Sequence, residues 1–165
     1  MKSSGQNFLP IVVIYFVTIV FAVFGFMDLD VAGFSLAFPL FDVIAIYYFR
    51  VFRGFFPLWF VFLLGLITDS MAGEILGITS LIYIAVIKFF EYLETRLAIK
   101  DDFKQVLRRF LAFLAFFLFL KWFLLSIINF TNYDFWMIIV QFLISSMCYV
   151  FMHKILENYY VSHCR

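Results

Sequence analysis

Charge is what this sequence has least of. Asp, Glu, Lys and Arg make up 14% of its 165 residues, 66% are hydrophobic, and the mean hydropathy is +1.06. Soluble domains carry about 25% charged and about 45–50% apolar residues. A fold of this size has no way to hide so much apolar surface from water, so a soluble domain is excluded and lipid is expected to cover part of it. The net charge of +1 provides no basic footprint for nucleic acid. There are two cysteines, Cys148 in an apolar run and Cys164 next to last. They cannot staple a small fold and form no C-x-x-C pair, so both read as inert thiols. The two histidines, His153 and His163, have no carboxylates and cysteines nearby at ligand spacing. H-E-x-x-H, G-x-S-x-G and the P-loop are missing as well. Neither a metal, a cofactor nor an enzymatic activity is therefore expected.

What is present is a series of long apolar runs. At about 20 residues per crossing, this length holds at most six or seven spans. The runs place them at 8–27, 34–49, 54–70, 75–87, 107–128 and 135–152 of a single integral membrane domain, 1–165. Backbone inside lipid must satisfy its own hydrogen bonds, and no period-2 alternation suggests a barrel, so these are helices. The fold class is all-α, a polytopic membrane protein with six transmembrane helices. The first run is longer than the apolar core of a signal peptide and is read as a span. The 27 phenylalanines are read as lipid-facing substitutes for Leu and Ile, with no function attached.

Six spans sort the basic residues cleanly. Lys2, Arg50, Arg53, the six basic residues of 88–109, Lys154 and Arg165 all fall on one side. The opposite connections, 28–33, 71–74 and 129–134, hold none. An excess of Lys and Arg marks the cytoplasmic side, so both termini are expected there. The third and fourth spans are short: 17 residues of helix reach about 25 Å, against a hydrocarbon core of about 30 Å. Either the bilayer thins over the connection between them, or the helices end inside protein. In the segment 88–109, Phe89, Leu93 and Leu97 repeat at helical spacing, so the fourth span is expected to continue as an amphipathic helix. Asp101-Asp102 is a start signal for the next. That segment reads as a solvated connector or a docking site for cytoplasmic proteins and anionic headgroups.

Polar groups inside spans are costly and therefore informative. There are few: Asp42, Lys121, Gln141, and Thr68-Asp69 at the end of the third span. All fall in the outer half, with Asp42 about 12 Å deep from the start of its run. Three arrangements fit. Asp42 and Lys121 pair structurally beside Gln141; the set lines a pocket open to the outside; or Lys121 snorkels outward. Gly65, Gly73 and Gly77 bracket Asp69, where small residues let helix backbones approach and a chain turn sharply.

The densest pattern lies in 35–81. Pro39-Leu40-Phe41-Asp42 opens one span. Pro57-Leu58-Trp59, Leu64-Gly65-Leu66-Ile67-Thr68-Asp69 and Gly73-Glu74-Ile75-Leu76-Gly77 follow. This pattern resembles the central motif of the MreD family, the rod shape-determining membrane proteins of bacteria. The resemblance implies a non-enzymatic scaffold of the plasma membrane in the cell-wall elongation machinery. Its partners would be an MreC-like protein, RodA, a penicillin-binding protein and MreB. It also implies a fold similar to the substrate-binding S components of energy-coupling-factor transporters. Gly65, Asp69, Gly73, Gly77 and the upstream Asp42 are the positions that match. A second reading is an S-component-like solute-binding subunit whose pocket is Asp42, Asp69, Lys121 and Gln141. A deep outward cavity would distinguish it.

Overall fold

The structure is a computed structural model that describes residues 8–24, 29–31, 34–36, 39–54, 56–73, 75–96, 103–129 and 135–163. Among these residues the regular structure is helical, apart from one small hairpin. The helices are α1 (Phe8–Phe24), α2 (Phe41–Ile46), α3 (Leu58–Ala72), α4 (Ile78–Arg96), α5 (Phe103–Asn129) and α6 (Phe135–His163), with α2 running on into a π-helical turn at Tyr47–Phe52. Strands β1 (Leu29–Val31) and β2 (Phe34–Leu36) pair antiparallel, Leu29 opposite Leu36 and Val31 opposite Phe34.

The hairpin corrects one expectation. A helix was expected from residue 34, but Phe34–Leu36 is a strand and α2 begins only at Phe41. Pro39 supplies the reason: proline lacks an N–H and disfavours helix in the residue before it. The Pro39 carbonyl instead accepts the Phe41 N–H at 2.9 Å. Asp42 therefore lies in the first turn of α2 and not deep within a longer helix.

The short α2 is the centre of the molecule. Val43 to Phe49 are all buried, which is the pattern of a helix enclosed on every side. Tyr47 packs edge-on to Phe110 of α5 at 5.3 Å and to Tyr149 of α6 at 5.9 Å, and Phe110 and Tyr149 stack on each other at 3.8 Å. The Tyr47 hydroxyl donates to the Val106 carbonyl at 3.1 Å, so a buried polar tip is satisfied. At the end of α2 the chain widens into the π turn, where the Arg53 N–H reaches the Tyr48 carbonyl at 3.0 Å. It then reverses at Gly54, whose φ of 66° is one that residues with side chains adopt rarely.

Two helices, α5 and α6, are long and apolar enough to cross a membrane. Their apolar windows are only 28% and 17% buried within the protein. Exposed large apolar side chains also occur on α1, α3 and α4, including Phe16 at 66%, Trp59 at 63% and Leu81 at 63%. α3 has 15 residues and reaches about 22 Å, whereas the 27 residues of α5 reach about 40 Å.

Candidate functional site

Asp69 is the best-defined polar group in the core. It sits near the end of α3, fully buried, and its carboxylate crosses to the start of α4. There it accepts the Gly77 N–H at 2.7 Å and the Thr79 N–H at 3.1 Å. The first N–H groups of any helix lack partners within the helix, and the helix N-terminus carries partial positive charge. Asp69 satisfies both needs from a neighbouring helix. Its own carbonyl accepts the Gly73 N–H, so one residue closes α3 and opens α4.

The glycines make that arrangement feasible. Gly73 ends α3 with φ 66°, and Gly77 turns the chain back with φ 98°. A Cβ at Gly73 or Gly77 would meet nothing, so what these positions require is backbone conformation rather than space. Gly65 is the reverse case. A Cβ there would lie 2.5 Å from Ser80 Cα, so only glycine permits α3 and α4 to come this close. The Ser80 hydroxyl donates across the seam to the Phe62 carbonyl at 2.9 Å, while the Thr68 hydroxyl is satisfied within α3 by the Gly65 carbonyl at 2.8 Å.

Asp42 is tied to the same hairpin. The buried Tyr83 hydroxyl, one turn beyond Thr79 on α4, donates to Asp42 Oδ2 at 2.5 Å. The Tyr83 ring stacks on Phe117 of α5 at 4.9 Å, which holds the hydroxyl in place. The N-terminal end of α2 is closed from another side, where the Leu40 N–H donates to Ser145 Oγ on α6 at 3.0 Å. Lys121 is half-buried on α5, near enough for its charge to act on Asp42, but the hydrogen bond at Asp42 comes from Tyr83. Gln141 is half-buried on α6. Tyr83, Thr79, Ser80 and Ser145 did not stand out in the sequence. The Thr79-Ser80 pair, separated from Gly77 only by Ile78, with Tyr83 one turn beyond Thr79 on the same face, was the available signal.

A second polar cluster lies at the opposite end of α2. Arg50 donates to the Phe56 carbonyl at 2.8 Å and pairs with Glu91 of α4 at 2.5 Å, and Lys88 reaches the same carboxylate at 2.9 Å. Burial by itself would raise the Glu91 pKa. The Lys88 hydrogen bond and the Arg50 and Lys88 charges outweigh it, holding the carboxyl below its ordinary value. Arg53 lies over the Phe52 ring at 4.6 Å and approaches Glu157 of α6 at 3.8 Å. His153, buried, meets the Tyr149 hydroxyl at 3.1 Å.

Among the described residues, no three His, Cys, Asp or Glu side chains stand together as metal ligands would. An apolar cavity of about 140 Å³ lies between α1, α2 and α6, against Ile14, Thr18, Ala45 and Leu156. A second, of about 340 Å³, lies between α5 and α6, against Ala115, Trp122, Ile138 and Phe142. An open hollow of about 910 Å³ runs along α6 beside Phe151 and Lys154. None of these three is lined by Asp42, Asp69, Lys121 or Gln141. No family model, curated protein or solved structure matches the chain.

Proposed function

We propose that this chain is a multi-pass scaffold of the bacterial plasma membrane with both termini in the cytoplasm, acting with the cell-wall elongation machinery in the manner of MreD proteins. Membrane residence is supported by exposed apolar side chains on α1, α3, α4, α5 and α6, more than a water-soluble monomer tolerates. The six helices would then be six crossings, with the Arg50–Glu91–Lys88 cluster at the cytoplasmic face. The observation that carries the family reading is the hairpin of α3 and α4. Gly65, Asp69, Gly73 and Gly77, the residues that resemble the family motif, each have a distinct mechanical task in that one hairpin. A motif spent on rigidity rather than on a reactive centre suits a platform for partners. An MreC-like protein is the partner expected, with RodA, a penicillin-binding protein and MreB in the larger assembly.

Affinity purification through a C-terminal tag, after gentle solubilisation, tests this reading. Recovery of an MreC-like protein or of wall synthases supports it, as does rounding of rod-shaped cells on depletion. Recovery of a transport ATPase with its membrane coupling subunit would replace it with the solute-binding reading.

A further inference from the structure

The hairpin of α3 and α4 is too short for the membrane that α5 and α6 fit. On α6, Trp136 and Lys154 are interfacial residue types about 27 Å apart along the helix, close to a hydrocarbon core of about 30 Å. On α3, the whole helix reaches about 22 Å from Leu58, next to the Phe56 carbonyl that Arg50 binds. On α4, Ile78 stands about 15 Å from Lys88 in the same ionic cluster. Two helices measured independently from the same charged layer both stop well short of the far side.

Three cases exist for such short helices: their ends are covered by the rest of the protein, the bilayer thins over them, or they end within a bilayer that the longer α5 and α6 hold at full thickness. The structure excludes the first for the apolar residues at the tip. Met71 is 46% exposed, Ile75 57% and Leu76 64%. Four backbone N–H groups at the two ends of the turn are also satisfied within the protein, as backbone in lipid requires. Gly73 donates to Asp69 O, Gly77 and Thr79 donate to the Asp69 carboxylate, and Ile78 donates to Ile75 O. Water would supply such bonds at no cost, and hydrocarbon cannot. Glu74 is the one ionisable residue in the sequence of this turn, and a charge costs least near the headgroups, so the turn sinks no further than its shortfall in length requires.

We propose that the tip of the α3–α4 hairpin ends within the outer leaflet, where lipid acyl chains cover Met71, Ile75 and Leu76. This rests on the six-crossing reading above. The outer surface then carries a depression over the hairpin, and a neighbour would meet the tip sideways through the membrane rather than from the aqueous side.

Single cysteines at Met71, Ile75 and Leu76, in the full chain carrying Cys148→Ser and Cys164→Ser, test it with a membrane-impermeant maleimide. Asn132→Cys and Lys104→Cys are the controls for the two faces. In intact cells Asn132→Cys should react, and Lys104→Cys only after permeabilisation. The tip cysteines should react about tenfold more slowly than Asn132→Cys, because hydrocarbon excludes the reagent and the thiolate alike. The same protection should hold for purified protein in dioleoyl phosphatidylcholine vesicles and fall in thinner dimyristoleoyl ones. Tip cysteines reacting as fast as Asn132→Cys, with the two controls on opposite faces, would overturn this inference and leave the six crossings standing. Controls reacting from the same face would overturn the six crossings themselves. Protection in cells that vanishes in dioleoyl vesicles would show that a protein, not lipid, covers the tip, and that also overturns the proposal.

Discussion

The two helical hairpins at the heart of this protein are built on opposite principles. α3 and α4 are short and pressed together, touching far more extensively than α5 and α6 do. Glycine lets their backbones meet, and the Ser80 hydroxyl and the Asp69 carboxylate stitch the seam. α5 and α6 are long, join through a more open contact and leave a cavity of about 340 Å³ between them. Phe110 of α5 stacks on Tyr149 of α6 beside Tyr47 of the π turn, which packs against both rings. In lipid, burying apolar surface between helices brings little hydrophobic gain, so close packing and hydrogen bonds hold a bundle together. By that measure α3–α4 is the rigid unit, and α5–α6 is the part most able to repack.

Volume added on each side is the strongest way to break the comparison. Gly65→Ala places a methyl where the Ser80 backbone already lies. The helices must separate, at a cost of about 1–3 kcal/mol or more. Loss of folded protein in thermal melts of the detergent-solubilised chain is the readout. Ala115→Leu is the matching change on α5, at an exposed residue that borders the α5–α6 cavity. It is expected to change stability by less than about 0.5 kcal/mol. Equal effects at the two sites would mean that the hairpins do not differ in rigidity.

Removing a polar partner ranks next. Asp69→Ala leaves the buried Thr79 N–H and the half-buried Gly77 N–H without their acceptor, which costs about 1–3 kcal/mol. Asp69→Asn keeps one acceptor oxygen and should recover part of the loss. Asp42 and Tyr83 form the next step down. Tyr83→Phe and Asp42→Asn should each destabilise by about 1–2 kcal/mol, and the double variant by clearly less than the sum, because the two share one bond. Lys121→Met should couple to Asp42 more weakly than Tyr83 does. Stronger coupling to Lys121 would make the ion pair, rather than the phenol, the real support of that carboxylate.

The sequence was most legible where backbone chemistry is unambiguous. Composition and apolar runs indicated a helical chain and located six helical segments, two of which are long and apolar enough to cross a membrane. Gly73 and Gly77 mark a reversal because few other residues accept such φ values. Pro39 carried the information that α2 starts late, but the apolar run through Phe38 masked it, because strand and helix core are alike in hydropathy over short stretches. Asp42 was legible as a costly buried charge; its partner was not. Lys121 drew attention because charge is rare here, and its charge does act on Asp42, yet a phenol supplies the bond; Tyr83 is one of nine tyrosines, and only its place one turn beyond Thr79 could have singled it out. Close approach at Gly65 was legible only as a tendency, since which residue faces a glycine across two helices is decided by packing.

The smallest effect is expected at the ionic cluster by which α4 is anchored to the end of α2. Glu91 accepts from Arg50 and Lys88, and those cations hold its carboxyl below its ordinary 4.5. A carboxyl whose pKa falls on folding stabilises the fold when ionised, so the contribution is complete above about pH 4.5. It is lost as the pH drops through the lower folded-state value, where the native state too takes up the proton. The group is partly open to solvent, which screens the pair, so the loss should be a few tenths of a kcal/mol. Glu91→Gln should remove that component of the acid sensitivity while leaving the Asp69 and Gly65 effects intact, because those lie at the other end of the hairpin. Melting curves taken from pH 7 down to about pH 3.5, through the ordinary carboxyl range, check this. An acid sensitivity unchanged by Glu91→Gln would place the titrating carboxyl elsewhere.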